Sequence, residues 1–220
     1  MKNATWLVLI FFLSFPPAMA QKLDSILSKS TLSFNYGLSY DYFACCADKN
    51  DKLPITNLDD RKDWGEMFGF EFTYRPEGKN EYGFGFSKQV NSEDYSFVIQ
   101  TPTALATFQD YRIRKVKNFH YLVFKRHFIE DKLIGSAGLF NLRFRDPYIS
   151  INWGLSDRSE ILLSDPPINF DFGAFVGLEY YHSLRENFQV GLRTRLFYTS
   201  GYAESFESFE LTPVLRFRLN

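Results

Sequence analysis

The chain has 220 residues, of which 25 are Lys or Arg and 26 are Asp or Glu, so its formal net charge is −1. This balance provides no basic stripe for nucleic acid, and no nucleic-acid partner is predicted. No apolar run after the N-terminus approaches the ~20 residues of a spanning helix, which excludes a helical membrane protein. Aromatic residues nevertheless make up 19% of a chain whose mean hydropathy is −0.24, a combination typical of membrane β-barrels.

The first twenty residues have the pattern of a cleaved secretory signal peptide. Lys2 supplies the positive charge, an apolar stretch follows over 6–13, and the motif Ala18-Met19-Ala20 precedes Gln21. We expect a signal peptide over 1–20, a short periplasmic N-terminal segment over 21–30 and an outer-membrane β-barrel over 31–220. The mature part has a length that suits one domain.

Alternation of apolar and polar residues starts after residue 30 and predicts β-strands. The first candidate, 31–43, carries on one face Leu32, Phe34, Tyr36, Leu38, Tyr40 and Tyr42. The next two candidates, 66–75 and 82–90, continue this pattern with Phe68, Phe70, Phe72, Tyr74, Tyr82, Phe84 and Phe86.

The middle of the chain is less regular. A fourth strand is predicted within 108–126, around Phe119–Phe124. Its outward face stays undecided, because two alternating sets are both apolar: Phe119, Tyr121 and Val123 against His120, Leu122 and Phe124. A fifth strand is predicted over 133–143, which is rich in small residues.

Strict alternation returns in the last three candidates, 170–181, 188–199 and 209–219. Their apolar faces contain Phe172, Val176, Leu178, Tyr180, Val190, Leu192, Leu196, Leu211, Leu215 and Phe217. Pro213 has no N–H to donate, so it needs a bulge or a locally unpaired position in the last strand.

Eight strands are therefore predicted, joined by connections of alternating length. The segments 76–81, 127–132 and 183–187 are short, whereas four others are longer: 44–65, 91–107, 144–169 and 200–208. Short turns at one end and long loops at the other are typical of outer-membrane barrels, with both termini in the periplasm. The predicted fold class is all-β, an eight-stranded antiparallel up-and-down transmembrane β-barrel.

The choice of inward face distinguishes a membrane barrel from a soluble, lipocalin-like barrel. The polar faces combine glycine and serine with charged residues, namely Glu71, Arg75, Glu179, Arg193, Arg195, Arg216 and Arg218. A narrow eight-stranded interior holds little more than its own side chains, and buried charges must be paired. We therefore expect the polar face inside, with Glu71 and Glu179 bound to Arg193, Arg195 or Arg216, and the apolar face towards lipid.

Two segments resemble a known family. They are the glycine-punctuated strand Phe170–Tyr180 and the closing strand Leu211–Leu219. Together with the signal peptide they are similar to the small Bacteroidota-type "outer membrane protein beta-barrel domain" family, over most of the mature chain. The resemblance implies recognition of the last strand by the outer-membrane insertion machinery. One departure is that this chain ends Leu219-Asn220, whereas the family usually ends on an aromatic residue.

Few residues indicate chemistry. Cys45-Cys46 lies in the first long loop, where a disulfide, pairing with another chain and two free thiols are all alternatives. His182-Ser183 invites comparison with barrel hydrolases, but the pair falls beside a short, periplasmic turn. His127 is expected as a solvated turn residue, and His120 belongs to the undecided strand. No catalytic, cofactor-binding or metal residue is assigned.

Two charged runs have a functional and a simpler interpretation. The stretch Arg112–Lys117 offers cations to lipopolysaccharide phosphates, and the favoured alternative is a solvated strand wall. The run Asp59–Asp63 lacks the spacing of a calcium loop and is expected to be a solvated loop.

The leading function hypothesis is a non-enzymatic outer-membrane barrel with a structural or surface-contact role through long extracellular loops. The expected partners are outer-membrane lipid, lipopolysaccharide, the insertion machinery and an unidentified extracellular ligand or protein. The alternatives are a lipid-modifying enzyme on a barrel scaffold and a secreted soluble barrel that binds a small apolar ligand. A pore is disfavoured because side chains fill such an interior. No cofactor is predicted.

Overall fold

A computed structural model describes residues 25–42, 64–100, 105–129, 132–145, 148–153, 159–164, 168–200 and 205–219. Side chains are described in these ranges except within 93–113, 148–164 and at 205. The strands are β1 (Ser30–Asp41), β2 (Trp64–Tyr74), β3 (Asn80–Gln100), β4 (Leu105–Ile129), β5 (Leu133–Arg145), β6 (Tyr148–Trp153), β7 (Ser159–Ser164), β8 (Asn169–Arg185), β9 (Phe188–Thr199) and β10 (Ser205–Arg218). Within the described ranges, no helix is long and apolar enough to cross a membrane.

Eight of these strands close into one barrel in the order β1-β10-β9-β8-β5-β4-β3-β2. Every barrel pair is antiparallel, and β1 closes the barrel against β10. The predicted eight-stranded antiparallel up-and-down barrel is confirmed. The expected segments 1–20 and 21–24 lie outside the described residues. Residues 25–27 form a single helical turn ahead of β1.

The two ends of the barrel differ in the length of their connections. Short turns join β2 to β3, β4 to β5 and β8 to β9 at the end where Ser30 and Arg218 also lie. At the opposite end, long connections join β1 to β2 and β5 to β8, whereas β3 to β4 (101–104) and β9 to β10 (200–204) are joined by short ones. The predicted alternation of short and long connections is therefore confirmed in outline.

Two of the predicted loops contain strands, so their assignment as loops was wrong. Residues 91–100 belong to β3 and pair with 105–115 of β4, although β2 accompanies β3 only as far as Asn91. This two-stranded extension, here called the β3–β4 arm, is about 30 Å long at ~3.3 Å per residue. The segment 144–169 contains the hairpin of β6 and β7, a separate two-stranded sheet. Neither hairpin is part of the closed barrel wall, so its residues need not alternate between lipid and lumen.

The strand registers fix the tilt of the barrel. Following cross-strand partners once round the barrel from Tyr40 leads back to β1 at Ser30, a shear of ten residues (40 − 30). The path is Tyr40, Phe209, Leu196, Val176, Ala137, Phe124, Tyr82, Tyr74 and Ser30. Strands of such barrels tilt by ~40°, so each residue climbs ~2.5 Å along the axis and each step to the next strand changes height by ~3 Å.

Pro213 occupies the locally unpaired position that its missing N–H requires. The ladder between β1 and β10 pairs Asn35 with Val214 and then resumes at Leu38 and Leu211. Gly37 lies in this gap, where a Cβ atom would stand 2.8 Å from the carbonyl oxygen of Leu211. A glycine is therefore needed beside the proline because the two backbones approach closely.

Candidate functional site

The lower middle of the barrel interior holds a cluster of paired charges. We define the central charge cluster as Glu71 (β2), Lys125 (β4), Glu179 (β8), Arg193 and Arg195 (both β9). All five side chains are buried. Inward-facing positions on four strands bring them together, since odd-numbered residues of these strands point into the barrel.

Each carboxylate of the central charge cluster contacts all three of its cations. Lys125 Nζ lies 2.5 Å from Glu71 Oε1 and 2.7 Å from Glu179 Oε2. Arg195 Nη2 lies 2.6 Å from Glu71 Oε2 and 3.0 Å from Glu179 Oε1. Arg193 binds Glu179 through Nε at 3.0 Å and Glu71 through Nη2 at 3.3 Å. The predicted pairing of Glu71 and Glu179 with Arg193 and Arg195 is confirmed.

A third carboxylate brings the buried charges of this layer to balance. Glu210 is buried and accepts hydrogen bonds from Asn35 Nδ2 at 3.0 Å and Thr212 Oγ1 at 2.6 Å. Asn35 in turn accepts one from Arg193 at 3.3 Å, so Glu210 is linked to the cluster through the amide. Three cations therefore face three carboxylates. The layer is therefore neutral in sum, which lowers the cost of burying its charges. Among the described residues, Glu210 Oε2 and Arg195 Nε and Nη1 have no hydrogen-bond partner.

Two smaller ionic groups lie nearer the ends of the interior. At the end with the short turns, Arg216 binds Glu81, and His127 Nε2 lies 2.8 Å from the same carboxylate. At the opposite end, Lys117 binds Glu207 and lies 2.7 Å from Asp41 Oδ1. Of the three arginines offered as alternative partners of Glu71 and Glu179, Arg216 binds neither, because it lies at the level of Glu81.

An aromatic layer fills the interior between the central charge cluster and the end with the long connections. This apolar plug consists of Met67, Phe119, Tyr121, Phe140, Phe175 and Phe197, all buried. The ring of Phe197 lies 4.7 Å from that of Phe119 and 5.5 Å from those of Phe140 and Phe175. The guanidinium of Arg195 lies 4.8 Å from the ring centre of Phe175, so the two layers touch.

The apolar plug corrects one prediction about facing and settles one alternative that the sequence left open. The interior was expected to contain only small and charged residues, but its upper part is aromatic. The plug also decides the orientation of β4, whose inward set is Phe119, Tyr121 and Val123, with Leu122 and Phe124 exposed outside. Both faces of β4 are apolar because one meets the plug and the other the exterior.

The outer face of the barrel is apolar over most of its height. Exposed residues on it include Phe34, Phe70, Phe84, Leu122, Leu139, Val176, Leu178, Leu192 and Leu215. Aromatic residues mark both rims. At the long-connection end, the ring of Tyr40 lies 5.0 Å from that of Tyr42 and 5.2 Å from that of Trp64. At the other end, Phe188 and Phe217 stack at 4.8 Å.

Arg75 and Arg218 lie at the short-turn mouth of the interior, outside its buried charge groups. Arg75 lies in the turn after β2, where its Nε donates to the carbonyl of Gly78 at 2.7 Å. Arg218 is the last residue of β10, pairs with Thr31 of β1 and is half-buried. Both arginines keep the predicted inward parity, and they line the mouth beside Glu81.

The histidines are not gathered into a site. His127 was expected in a solvated turn, but it is only 3% exposed and bound to Glu81. His120 points outward, with its ring 5.1 Å from that of Phe86. His182 is exposed on β8, while the hydroxyl of Ser183 accepts a hydrogen bond from Gln189 Nε2 at 3.0 Å. Among the residues described, no group of His, Cys, Asp and Glu is arranged to hold a metal ion.

The predicted charged runs have different outcomes. In the stretch Arg112–Lys117, Arg114 is exposed, whereas Lys117 points into the barrel and is bound there. The side chains of 112 and 113, the run Asp59–Asp63 and Cys45-Cys46 lie outside the described part.

Sequence reasoning missed six of the interior charges as partners of the others: Asp41, Glu81, Lys117, Lys125, Glu207 and Glu210. Parity was the available signal for Asp41, Glu81 and Glu210, because each shares its strand face with a residue already placed inside. Parity fails for Glu207, because the pairing of β9 and β10 shifts between Phe206 and Ser208. Lys117 and Lys125 became assignable only with the orientation of β4. Glu81 was included in a predicted turn although β3 begins at Asn80.

No family model matches the chain, and no curated protein matches it. The Bacteroidota-type family therefore stays a prediction. Solved structures with similarity include Ail, the attachment invasion locus protein of Yersinia pestis, in complex with the heparin analogue sucrose octasulfate. It is 10% identical, the TM-score is 0.44, and the match covers 86% of this chain and 97% of that chain.

Two further structures are similar at comparable levels. The Neisserial surface protein A is 10% identical with a TM-score of 0.41, over 86% of this chain and 96% of that chain. The outer membrane protease OmpT from Escherichia coli is 11% identical with a TM-score of 0.35, over 70% of this chain and 63% of that chain. At these TM-scores, the activities of these proteins are not transferred to this chain.

Proposed function

We propose that the protein is a non-enzymatic outer-membrane β-barrel that presents two β-hairpins for contact at the cell surface. In this proposal the signal peptide directs export, and the insertion machinery recognises β10. Lipid and lipopolysaccharide surround the barrel.

The apolar outer face is the observation that carries this proposal. The outward apolar residues of β1 and its end run from Leu32 to Tyr42, a span of ten residues, or ~25 Å along the axis at ~2.5 Å per residue. The exposed apolar side chains and their two aromatic rims occupy this height. It equals the ~25 Å apolar band of outer-membrane barrels. A soluble barrel has no physical reason to expose such a band to water.

The filled interior supports a role at the ends of the barrel rather than transport through it. The central charge cluster and the apolar plug occupy successive layers of the lumen, and their side chains contact one another through Arg195. An eight-stranded barrel has room only for such side chains or one small ligand.

The two hairpins supply the contact surface in this proposal. The β3–β4 arm and the β6–β7 hairpin both leave the barrel at the end with the long connections. Long connections of outer-membrane barrels face the outside of the cell, which places both hairpins there. The arm alone extends for ~30 Å beyond the neighbouring strands.

Cell fractionation and surface labelling test the proposal. The mature protein should begin at Gln21, fractionate with the outer membrane and migrate faster unboiled than boiled in SDS. In a background without Cys45 and Cys46, Gln100→Cys should react with an impermeant maleimide on intact cells. Glu186→Cys, in the β8–β9 turn, should react only after permeabilisation. Recovery of folded protein in the soluble periplasm, or the opposite labelling pattern, would refute it.

A further inference from the structure

The upper edge of the outer apolar face is uneven. Around β8, β9, β10 and β1 it ends in aromatic or other apolar residues, such as Phe172, Tyr198, Phe206 and Tyr40. On β3, β4 and β5 one row of outward positions at this height is polar, and the row above it contains Val90, Val116 and Arg145. Lys88, Asn118 and Arg143 are direct cross-strand neighbours in one row of the ladder.

These polar residues lie at the height of the aromatic rim. Counting residues and strand steps from Tyr40 places Lys88, Asn118 and Arg143 within ~5 Å of its height along the barrel axis. Arg114 and Arg145 lie one to two positions higher on β4 and β5. We define the outer basic patch as Lys88, Arg114, Asn118, Arg143 and Arg145.

The outer basic patch presents four cations at the barrel rim. Arg114, Arg143 and Arg145 are exposed, and Lys88 is half-exposed with its Nζ 5.9 Å from the ring centre of Phe68. Arg145 already interacts with another group, whereas neither Arg114 nor Arg143 forms an ion pair with any carboxylate whose side chain the structure describes. Among the side chains described, Glu66 is an acidic residue that borders the patch, on β2 opposite Val90.

We propose that the outer basic patch binds the phosphate groups of outer-leaflet lipid, namely the phosphorylated sugar headgroup of lipopolysaccharide. The inference rests on the proposed membrane location, because that location sets the patch at the boundary between hydrocarbon and headgroups. The spacing fits, since Lys88 and Arg143 stand two strands apart, ~10 Å at ~4.8 Å per strand. Arginine binds phosphate with paired N–H donors, and Asn118 adds an amide donor between the two cations.

The test compares two charge-matched double variants of the mature protein in neutral detergent. Arg114→Glu with Arg143→Glu alters the outer basic patch. The control, Arg126→Glu with Lys132→Glu, makes the same charge change at exposed positions near the short-turn end. Binding of diphosphoryl lipid A, and of lipid A stripped of both phosphates, is measured by native mass spectrometry. Faster unboiled migration in SDS verifies that each variant is folded.

We expect the patch variant to bind diphosphoryl lipid A at least about tenfold more weakly than the wild type, equivalent to ~1.4 kcal/mol. The control should keep nearly the wild-type affinity, and removal of the phosphates should weaken wild-type binding to the level of the patch variant. Equal affinity for both lipids, an unaffected patch variant, or equal losses in both variants would overturn the inference. A wild-type protein that never reaches the outer membrane would instead refute the proposed function, whatever it binds in detergent.

Discussion

Removal of the Glu179 carboxylate should be among the most damaging single changes to the barrel. Its two oxygens contact Lys125, Arg193 and Arg195, and Tyr181 donates a further hydrogen bond at 2.7 Å. Glu179→Gln preserves the size of the side chain but leaves three buried cations facing two carboxylates. Breaking a buried ion pair by removing one partner typically costs ~3–5 kcal/mol, because an uncompensated charge remains inside.

The measurement is the free energy of unfolding in urea, with the protein in phospholipid vesicles and tryptophan fluorescence as the signal. Glu186→Gln is the matched control, since Glu186 is exposed in the turn between β8 and β9. We expect the control to stay within ~0.5 kcal/mol of the wild type, as surface changes usually do. A difference below ~1 kcal/mol between the two variants would refute the buried, neutral cluster.

A second substitution separates lost charge balance from lost packing. Lys125→Met removes one cation, so combining it with Glu179→Gln leaves Arg193 and Arg195 facing Glu71 and Glu210. We expect the double variant to be at least ~1 kcal/mol more stable than the sum of the single effects, as neighbours in one ionic network couple. If the destabilisations by Lys125→Met and Glu179→Gln simply add, the loss of charge balance is not the cause of the destabilisation by Glu179→Gln.

Three further predictions concern the outer face, the strand closure and the lumen. Leu192→Arg, at mid-height on the outer face, should lower the free energy of unfolding by ~2–4 kcal/mol in the same measurement. Leu184→Arg, near the rim, should lower it by ~0–1 kcal/mol. Equal losses would contradict the proposed depths of these two residues in the membrane. Gly37→Ala should destabilise by ~1–3 kcal/mol because its methyl group meets the β10 backbone, and a variant as stable as the wild type would contradict that approach. Planar bilayers should show no stepwise conductance from the wild type, and regular steps would contradict the filled lumen.

The sequence predicted the strands best where an apolar face points outward and a polar face lines the lumen. In β9, outward residues such as Leu192 alternate with inward residues such as Arg193 over most of the strand, and the predicted range 188–199 equals the strand. β4 was harder because the apolar plug and the exterior both require apolar residues. The arm was not predicted for a related reason: beyond Asn91 the two strands leave the closed wall, and the alternation that indicates a barrel strand disappears from the sequence.

The charge pairing illustrates a second limit of prediction from sequence. Glu71, Lys125 and Arg195 all point inward by strand parity, and that part follows from the alternation. Which of them meet depends on the barrel shear, because Lys125 and Glu71 come from strands separated by β3. Arg216, one of the three alternative partners offered for Glu71 and Glu179, lies at a different level and binds Glu81. Strand parity thus predicts which side chains point into the lumen, and the barrel shear determines which of them contact one another.

The order of the interior layers has a consequence for where function can reside. The apolar plug covers the central charge cluster on the side of the long connections, and Arg195 touches both layers. Excluding water lowers the local dielectric, which strengthens the ion pairs and equally raises the cost of leaving any member unpaired. A lumen that conducted ions or opened for substrate would have to disrupt both layers together. The residues that can be substituted without loss of the fold therefore lie outside the barrel interior, on the outer basic patch and the two hairpins.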